Sequence, residues 1–288
     1  MEAGSEGTRL RAAGPALRRL ARALFYVALP LALIGTSVRI AFSEQRVYSY
    51  AIDHYDAADR TGISHDDLIA ATRDLRAYFS NDEAFLRTRV HDADGNVVPL
   101  FNSKEILHMR DVKRLVHMVY GLQELSLAYL ALYIAAVVLW AREESLESLA
   151  RRALTGAAAT VGLLIVFGLA TATGGFDAEF VKFHQLAFPG NSDWQLDPLH
   201  DHLIQMFPEG FWLDATMLIA LLIVAQAALI GGGAFLYLRR LRRTQRPAPS
   251  PAPAEAETVA PSSDAEVAAP ASAAQPDERS EEIAHPVG

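Results

Sequence analysis

The sequence contains no cysteine among its 288 residues. This absence excludes a disulfide framework, a thiolate metal site, a cysteine nucleophile and lipid attachment to a cysteine of the chain itself. The sequence also lacks a basic excess, since 26 Lys and Arg stand against 34 Asp and Glu, for a net charge of -8. Outside the flanks of the apolar segments, no basic stripe is present, so we expect no nucleic-acid partner.

Several familiar catalytic patterns are missing as well. The sequence has no Gly-x-Ser-x-Gly, no Walker loop and no His-Glu-x-x-His, which removes support for a serine hydrolase, an NTPase or a zincin. A zinc site built from His184, Asp197 and His200 is conceivable but disfavoured, and His200-Asp-His202 alone does not make one. We therefore expect neither a metal nor another cofactor. The apolar segments hold almost no ionisable residues, which disfavours a transporter.

What the sequence does contain is four long apolar segments. A spanning helix needs roughly 20 mostly apolar residues, and backbone groups in lipid must be satisfied within the helix. Period-two alternation is absent, which argues against barrel strands. We therefore predict an all-α membrane protein with four transmembrane helices, at residues 23–42, 119–141, 153–173 and 211–238. The first segment resembles a cleaved signal peptide too, but its length and the absence of a small-x-small site favour a retained anchor.

The distribution of arginine predicts the orientation. Arginines cluster before the first span, between the second and third, and after the fourth, whereas Lys182 is the only basic residue in the third connection. By the positive-inside rule both termini are cytoplasmic. The predicted cytoplasmic segments are 1–22, 142–152 and 239–288, and the extracytoplasmic ones are 43–118 and 174–210. From about residue 246 the chain is a Pro, Ala, Ser and Glu mixture, which predicts a disordered C-terminal tail.

The first extracytoplasmic segment contains signals for a small cap of helices and one β-hairpin. Ser64 and Asn102 each precede an acidic residue by three positions, the pattern of a helix capping box. The stretch 89–98 alternates around Asp94-Gly95, which is typical of a hairpin turn. The same stretch resembles the beginning of a calcium loop, but the glycine comes too early and no glutamate stands at the twelfth position.

Two histidines in the extracytoplasmic segments are candidate acid–base residues. His108 and Asp111 lie three residues apart on one predicted helical face, so the carboxylate is placed to orient the imidazole. His184 lies beside Phe183 on a short predicted interfacial helix, and Trp194 fits an aromatic belt. From the residues alone, a charged interfacial helix around His108 and a buried, hydrogen-bonded His184 remain open alternatives.

Four motifs together resemble one bacterial family. They are His-Met-x-Asp-Val-Lys at 108–113, Phe-His-x-x-x-Phe at 183–188, Asn-x-Asp-Trp at 191–194 and Leu-Ile-x-Met-Phe-Pro-Glu at 203–209. With the four spans, they make residues 20 to 240 similar to the integral membrane proteins that include the lipoprotein intramolecular transacylase, Lit. The resemblance implies a multi-pass protein of the bacterial cytoplasmic membrane.

The resemblance also implies an activity. Proteins of this kind move the sn-2 acyl chain of a diacylglyceryl lipoprotein to the α-amine of its N-terminal cysteine, which gives the lyso form. The implied partners are the lipoprotein substrate and membrane lipid, while the oligomeric state is left open. Two alternatives remain: a non-catalytic membrane protein that binds lipid or lipoprotein at its cap, and an enzyme that transfers acyl chains between separate lipids.

The residues implied for this chemistry fall into two groups. His108 and His184 correspond to the catalytic histidines of the family. The supporting residues are expected to orient them or to stabilise negative charge on the carbonyl oxygen: Asp111 for His108, Asp193 for His184, Asn191 and Lys113 as donors, with Trp194 and Glu209 inside the motifs. Pro189-Gly190 is an insertion relative to the compact motif, and we expect it to shift Asp193 relative to His184.

Overall fold

The computed structural model describes residues 3–139 and 146–244, with side chains from residue 14 onward. The tail predicted to be disordered lies outside these residues, as does the end of the predicted second span. The described elements are α1 (Ala3–Ser43), α2 (Gln45–His54), α3 (Ala57–Thr61), α4 (His65–Tyr78), β1 (Arg89–His91), β2 (Val97–Pro99), α5 (Ser103–Leu139), α6 (Leu146–Gly174), α7 (Phe176–Ala187), α8 (His202–Met206) and α9 (Glu209–Thr244).

Within residues 3–139 and 146–244, four helices are long and apolar enough to cross a membrane, namely residues Gly14–Ser43 of α1 together with α5, α6 and α9. The protein is therefore a multi-pass membrane protein, as predicted, while the exact span limits stay predictions. In the bundle, α1 packs against α5 and α9, and α6 packs against α9. The centre of the bundle is apolar, and its buried residues are Phe25, Ala28, Leu29, Ala32, Leu33, Leu130, Ala157, Ile223 and Ala227.

Helix α1 is an integral part of this bundle. A Cβ atom at Gly35 would lie 2.5 Å from the Cβ atom of Gln123 on α5, so the two backbones approach each other where only glycine fits. On another face, the Gln226 side chain of α9 donates a hydrogen bond to the Ser37 hydroxyl at 2.7 Å. Removal of α1 would take away the Ser37 partner of Gln226 and about half of the buried residues of the bundle core, which favours a retained anchor over a cleaved signal peptide.

The cap has its own apolar core, to which α2, α4, β1, α5 and α8 all contribute. Ser64 and Asn102 both cap the helices that follow them, and at Asn102 the reciprocal bonds of a capping box are formed. The Asp67 amide donates to the Ser64 hydroxyl at 3.2 Å, and the Glu105 amide donates to the Asn102 side chain at 3.1 Å. In return, the Asn102 amide donates to the Glu105 carboxylate at 2.7 Å. These bonds satisfy amides that a helix start otherwise leaves unpaired.

The stretch around Asp94 forms the predicted hairpin. β1 pairs with β2 in antiparallel register, with Val90 opposite Val98, and Gly95 takes the left-handed backbone conformation at φ 79°. The Asp92 carboxylate accepts hydrogen bonds from the amides of Asp94 and Asn96 at 3.0 and 2.8 Å. Because Asp92 closes the turn, the structure confirms the hairpin over the calcium-loop alternative.

One uninterrupted helix joins the cap to the membrane. α5 has 37 residues, and at 1.5 Å per residue it is about 55 Å long, well beyond the thickness of the hydrocarbon core. Its first turns therefore stand in the cap. The segment between α6 and α9 folds back over these turns as α7, a loop and α8. Gly190, at φ 75°, takes the left-handed backbone conformation three residues after the end of α7, where the chain turns towards α8.

A candidate active site where the cap meets the bundle

The structure brings the two predicted histidines together. His108 lies in the second turn of α5 and His184 in the last turn of α7, and their ring centroids are 5.9 Å apart with the planes inclined by 35°. Each residue is only 7% exposed. A pair of buried imidazoles from distant parts of the chain is an arrangement suited to acid–base chemistry.

Aromatic rings enclose this histidine pair. The ring of Phe180 lies 4.3 Å from the ring of His184, and the indole of Trp194 lies 5.1 Å from it. Phe188 packs against both histidines, at 5.3 Å from His108 and 5.8 Å from His184. These apolar groups keep water away, so a charge on either imidazole is poorly solvated.

His184 has a defined tautomer. Its Nδ1 atom lies 2.7 Å from the carbonyl oxygen of Phe180, one turn earlier in α7. Because a carbonyl only accepts, Nδ1 carries the proton, and Nε2 keeps its lone pair. Burial lowers the pKa of His184, and the hydrogen bond to the Phe180 carbonyl opposes that shift only in part. His184 is thus a neutral imidazole with one basic nitrogen available.

His108 is positioned differently from the sequence prediction. Among the described residues, neither of its ring nitrogens has a hydrogen-bond partner in the structure, and the predicted contact with Asp111 is not formed. The Asp111 carboxylate accepts instead from Arg110, from Arg114 at 3.1 Å and from the Asn191 side chain at 2.7 Å. His108 is held by packing against Phe188, and its nitrogens remain available to a ligand.

Asn191 connects the loop after α7 to α5. Its side-chain amide donates to Asp111, its side-chain oxygen accepts from the Asp193 amide at 2.6 Å, and its carbonyl accepts from the Trp194 indole at 3.0 Å. This residue therefore fixes the indole that covers His184. The predicted orienting role of Asp193 is replaced by the Phe180 carbonyl, which already occupies the Nδ1 atom of His184.

Comparison with known proteins shows the family. The family model for the lipoprotein intramolecular transacylase Lit matches residues 23–212, which is well over half of the chain and contains the histidine pair. This chain belongs to the Lit family. An uncharacterized protein of Aquifex aeolicus (strain VF5) is 29% identical over 210 residues, which cover 72% of this chain and 89% of that protein.

Solved structures show the same fold. The membrane integral lipoprotein intramolecular transacylase Lit from Bacillus cereus superposes with a TM-score of 0.65 at 21% identity, over 80% of this chain and 99% of that one. A variant of that protein in which one histidine is replaced by alanine gives a TM-score of 0.63 at 21% identity, over 82% of this chain and 99% of that one. The four-helix bundle with a small cap is thus shared with Lit.

Lys113 faces away from the histidine pair of this Lit-family chain. Five residues separate it from His108, which places it about 140° further around α5. Its ammonium group donates to the Asn81 side chain at 2.9 Å and to the Glu83 carbonyl at 2.7 Å, and it lies 4.1 Å from the ring centroid of Tyr78. The prediction that Lys113 stabilises the reacting carbonyl oxygen is therefore corrected, because this lysine holds the loop after α4.

Glu209 lies at the edge of the site. It is the first residue of α9, and its carboxyl group lies beside that of Asp177 in the first turn of α7. Its Oε1 atom is buried and lacks a hydrogen-bond partner among the described residues. The motif residue Glu209 thus stands where the first turn of α9 meets the first turn of α7.

Two acidic residues outside the predicted set fix the loop between α7 and α8. Glu105 is fully buried, and its second carboxylate oxygen accepts from the Leu203 amide at 2.6 Å. Asp201 accepts from the Asn102 side chain at 2.7 Å and from the Asp197 amide at 2.7 Å. The sequence identified Glu105 only as a capping residue, and no local pattern indicates that its other oxygen binds a segment almost a hundred residues away.

An apolar cavity of about 110 Å³ adjoins His108. It runs from the cap core towards the bundle, and its lining residues come from α1, α2, α4, α5, α8 and α9. They are Ala41, Phe42, Val47, Tyr48, Leu75, Phe79, His108, Met109, Val112, Leu203, Phe207, Phe211, Trp212, Ala215, Thr216 and Ile219.

Proposed function

We propose that this protein is a lipoprotein intramolecular transacylase, which moves the sn-2 acyl chain of a diacylglyceryl lipoprotein to the α-amine of its N-terminal cysteine. The observation that carries the proposal is the pair of buried imidazoles, with ring centroids 5.9 Å apart, in a chain of the Lit family. Within the described part of the chain, His184 keeps one basic nitrogen without a partner, and neither ring nitrogen of His108 has one. The site lies where a lipid-anchored substrate presents its headgroup region.

In the proposed reaction, His184 is the base. The α-amine of the substrate has an ordinary pKa of about 7.7–8.0, so part of it is neutral at pH 7. As the amine nitrogen attacks the sn-2 ester carbonyl carbon, its proton passes to Nε2 of His184. The hydrogen bond from Nδ1 to the Phe180 carbonyl holds the ring for this transfer and steadies the imidazolium that forms.

The same proton completes the reaction. When the tetrahedral intermediate collapses, the bond between the acyl carbon and the sn-2 oxygen breaks, and the leaving oxygen takes the proton from His184. The products are an amide at the cysteine nitrogen and a free sn-2 hydroxyl group, so no acyl-enzyme and no added water are needed. A histidine serving first as base and then as acid follows ordinary acid–base logic.

His108 supplies a hydrogen-bond donor to the carbonyl oxygen, where negative charge develops. Asn191 and Lys113, the other donors expected from the sequence, are engaged with Asp111, Asn81 and Glu83. A neutral imidazole has one N–H group, and in a site with little water such a donor stabilises an oxyanion strongly.

The aromatic enclosure supports an intramolecular path. Acceptor amine and donor ester belong to one molecule, so much of the rate arises from holding them in a reactive geometry. Phe180, Phe188 and Trp194 surround His184 closely and restrict the conformations that a bound headgroup region can take.

The proposal places the cap and the histidine pair on the extracytoplasmic side, with both termini in the cytoplasm. Because the chain has no cysteine, single cysteines report topology without background labelling. We expect a membrane-impermeant maleimide to label Asp94→Cys on intact cells and Thr244→Cys only after lysis. The reverse pattern would contradict the orientation.

A crossover experiment with purified protein tests the reaction. One lipopeptide carries an isotopically labelled sn-2 acyl chain on an unlabelled peptide. The other carries an unlabelled sn-2 acyl chain on an isotopically labelled peptide. Because transacylation produces an isomer of the substrate, tandem mass spectrometry must locate the acyl chain on the amine. We expect N-acylated products that retain the parental pairing of acyl chain and peptide.

Other outcomes identify the rival functions. Mixed pairing would show acyl transfer between separate molecules. Saturable binding of the lipopeptide without any N-acylation would favour a non-catalytic lipoprotein-binding protein. Either result would overturn the proposal.

A further inference from the structure

We propose that the apolar cavity beside His108 holds the first part of the sn-2 acyl chain, the one that is transferred, and selects substrates by that chain. This inference rests on the proposed transacylase function and adds to it the subsite that binds the migrating group. Its carrying observation is that a single cavity is lined both by a histidine of the pair and by residues of the membrane-spanning helices α1 and α9.

The cavity presents almost no polar group to its contents. The Tyr48 hydroxyl donates to the Phe42 carbonyl at 2.9 Å, the Trp212 indole donates to the Phe207 carbonyl at 3.1 Å, and the Thr216 hydroxyl donates to the Trp212 carbonyl at 2.8 Å. His108 is the one polar side chain of the cavity lining that has no hydrogen-bond partner among the residues that the structure describes. Apolar cavities of this kind stay dry and accept apolar guests.

The direction of the cavity matches an acyl chain that starts at the reacting carbonyl. Along α9, the lining residues extend from Phe211 to Ile219, which is about 12 Å at 1.5 Å per residue. Ala41 of α1 and Ala215 of α9 are small lining residues on the side of the bundle. A chain whose ester carbonyl lies at the histidine pair therefore extends from the cap towards the membrane interior.

The geometry favours the sn-2 chain over the sn-1 chain. The migrating acyl chain begins at the carbonyl carbon that the amine attacks, so its first carbons must lie next to the histidine pair. The sn-1 chain begins on a different glyceryl oxygen and has no such requirement. By comparison with a cavity of roughly 150 Å³ that binds benzene, this cavity accommodates roughly four to five carbon atoms.

The cavity selects substrates by the size and shape of their sn-2 acyl chain. An acyl chain leaves apolar lipid to enter the cavity, so the hydrophobic effect contributes little to its binding. Added side-chain volume in the cavity instead forces overlap with the chain, and overpacking of this kind typically costs enough to change a rate about 10-fold or more. A larger residue at Ala215 should therefore penalise long sn-2 chains selectively.

The test uses two synthetic lipopeptides that share a palmitoyl sn-1 chain and carry either palmitoyl or acetyl at sn-2. For Ala215→Phe in lipid nanodiscs, we expect kcat/KM for the sn-2 palmitoyl substrate to fall about 10-fold or more, and that for the sn-2 acetyl substrate to stay within about 2-fold. Ala225→Phe adds the same ring on an exposed face of α9 outside the cavity, and we expect it to behave as wild type. Thr216→Leu provides a second enlargement if Ala215→Phe does not fold.

A binding measurement separates the subsite from the activity. A lipopeptide with a photoreactive diazirine near the fourth sn-2 carbon should cross-link to residues 211–219 of α9, and the matching sn-1 probe should not. Equal losses for both substrates in the folded variants, or preferential cross-linking by the sn-1 probe, would overturn the subsite. If wild type converts neither substrate, the proposed function fails, and the cross-links still decide which chain the cavity holds.

Discussion

Replacement of Asn191 by alanine tests whether the loop after α7 positions the site. In the structure its side chain donates to Asp111 at 2.7 Å and accepts from the Asp193 amide at 2.6 Å. A hydrogen bond to a charged group contributes about 1.5–3 kcal/mol, and a neutral one about 0.5–1.5 kcal/mol. Because the loop is partly exposed, we take the lower end of each range, and together the two bonds contribute about 2 kcal/mol. At about 1.4 kcal/mol per factor of ten, the loop loses roughly 30-fold in its preference for the docked state.

The expected consequence is kinetic, because the docked loop carries the Trp194 indole that packs over His184. We predict that Asn191→Ala lowers kcat/KM about 10- to 30-fold, with a larger effect on kcat than on KM. The assay is conversion of a diacylglyceryl lipopeptide by purified protein in nanodiscs, with thermal unfolding as the measure of folding. The matched control is Asn96→Ala in the exposed hairpin turn, for which we expect unchanged kinetics. Unchanged kinetics in Asn191→Ala, or equal losses in both variants, would refute the positioning argument.

Three further predictions follow from the same contacts. Burial holds the pKa of His184 below its ordinary 6.5, so its protonation should limit kcat/KM only below pH 6.5. The pH profile of kcat/KM should rise up to about pH 8 as the substrate amine loses its proton. An inflection above pH 6.5 that belongs to the enzyme rather than to the substrate amine would contradict the lowered pKa of His184. The Glu105 carboxylate accepts from the backbone amides of Asn102 and Leu203, and Glu105→Gln removes the acceptor of one of them. This change should lower the free energy of unfolding by about 1–3 kcal/mol, measurable by denaturation in detergent. Lys113→Met should destabilise the cap by about 2 kcal/mol yet leave kcat unchanged per folded molecule, whereas a kcat loss above 10-fold would restore its role as a donor to the carbonyl oxygen.

Local patterns were sufficient to predict the spanning helices, the starts of α4 and α5, and the hairpin, but α2, α3 and α8 were not predicted. The apolar length of a spanning helix, the capping boxes at Ser64 and Asn102, and the Asp94-Gly95 turn all depend on residues that are neighbours in sequence. The proximity of His108 and His184 was different, because it came from the resemblance to Lit and not from any local pattern.

The partners of the polar residues could not be predicted, since they depend on contacts across the fold. Asp111 lies one helical turn from His108, yet its carboxylate binds Asn191, which is 80 residues away in sequence. Lys113 belongs to the same motif as His108 but faces the opposite side of α5. The cavity is even less visible in the sequence, because six helices that are separate in the chain contribute to its lining.

The most direct test of the central claim is tandem mass spectrometry of lipoprotein N-terminal peptides from a bacterial host that makes only the diacyl form. The host expresses wild type, His108→Ala or His184→Ala, with His91→Ala in the exposed hairpin as the matched control. The account predicts N-acyl, S-monoacylglyceryl peptides with wild type and His91→Ala. It predicts unchanged diacylglyceryl peptides with His108→Ala and with His184→Ala. Unchanged diacyl lipoproteins with correctly inserted wild type, or conversion by both buried-histidine variants, would contradict it.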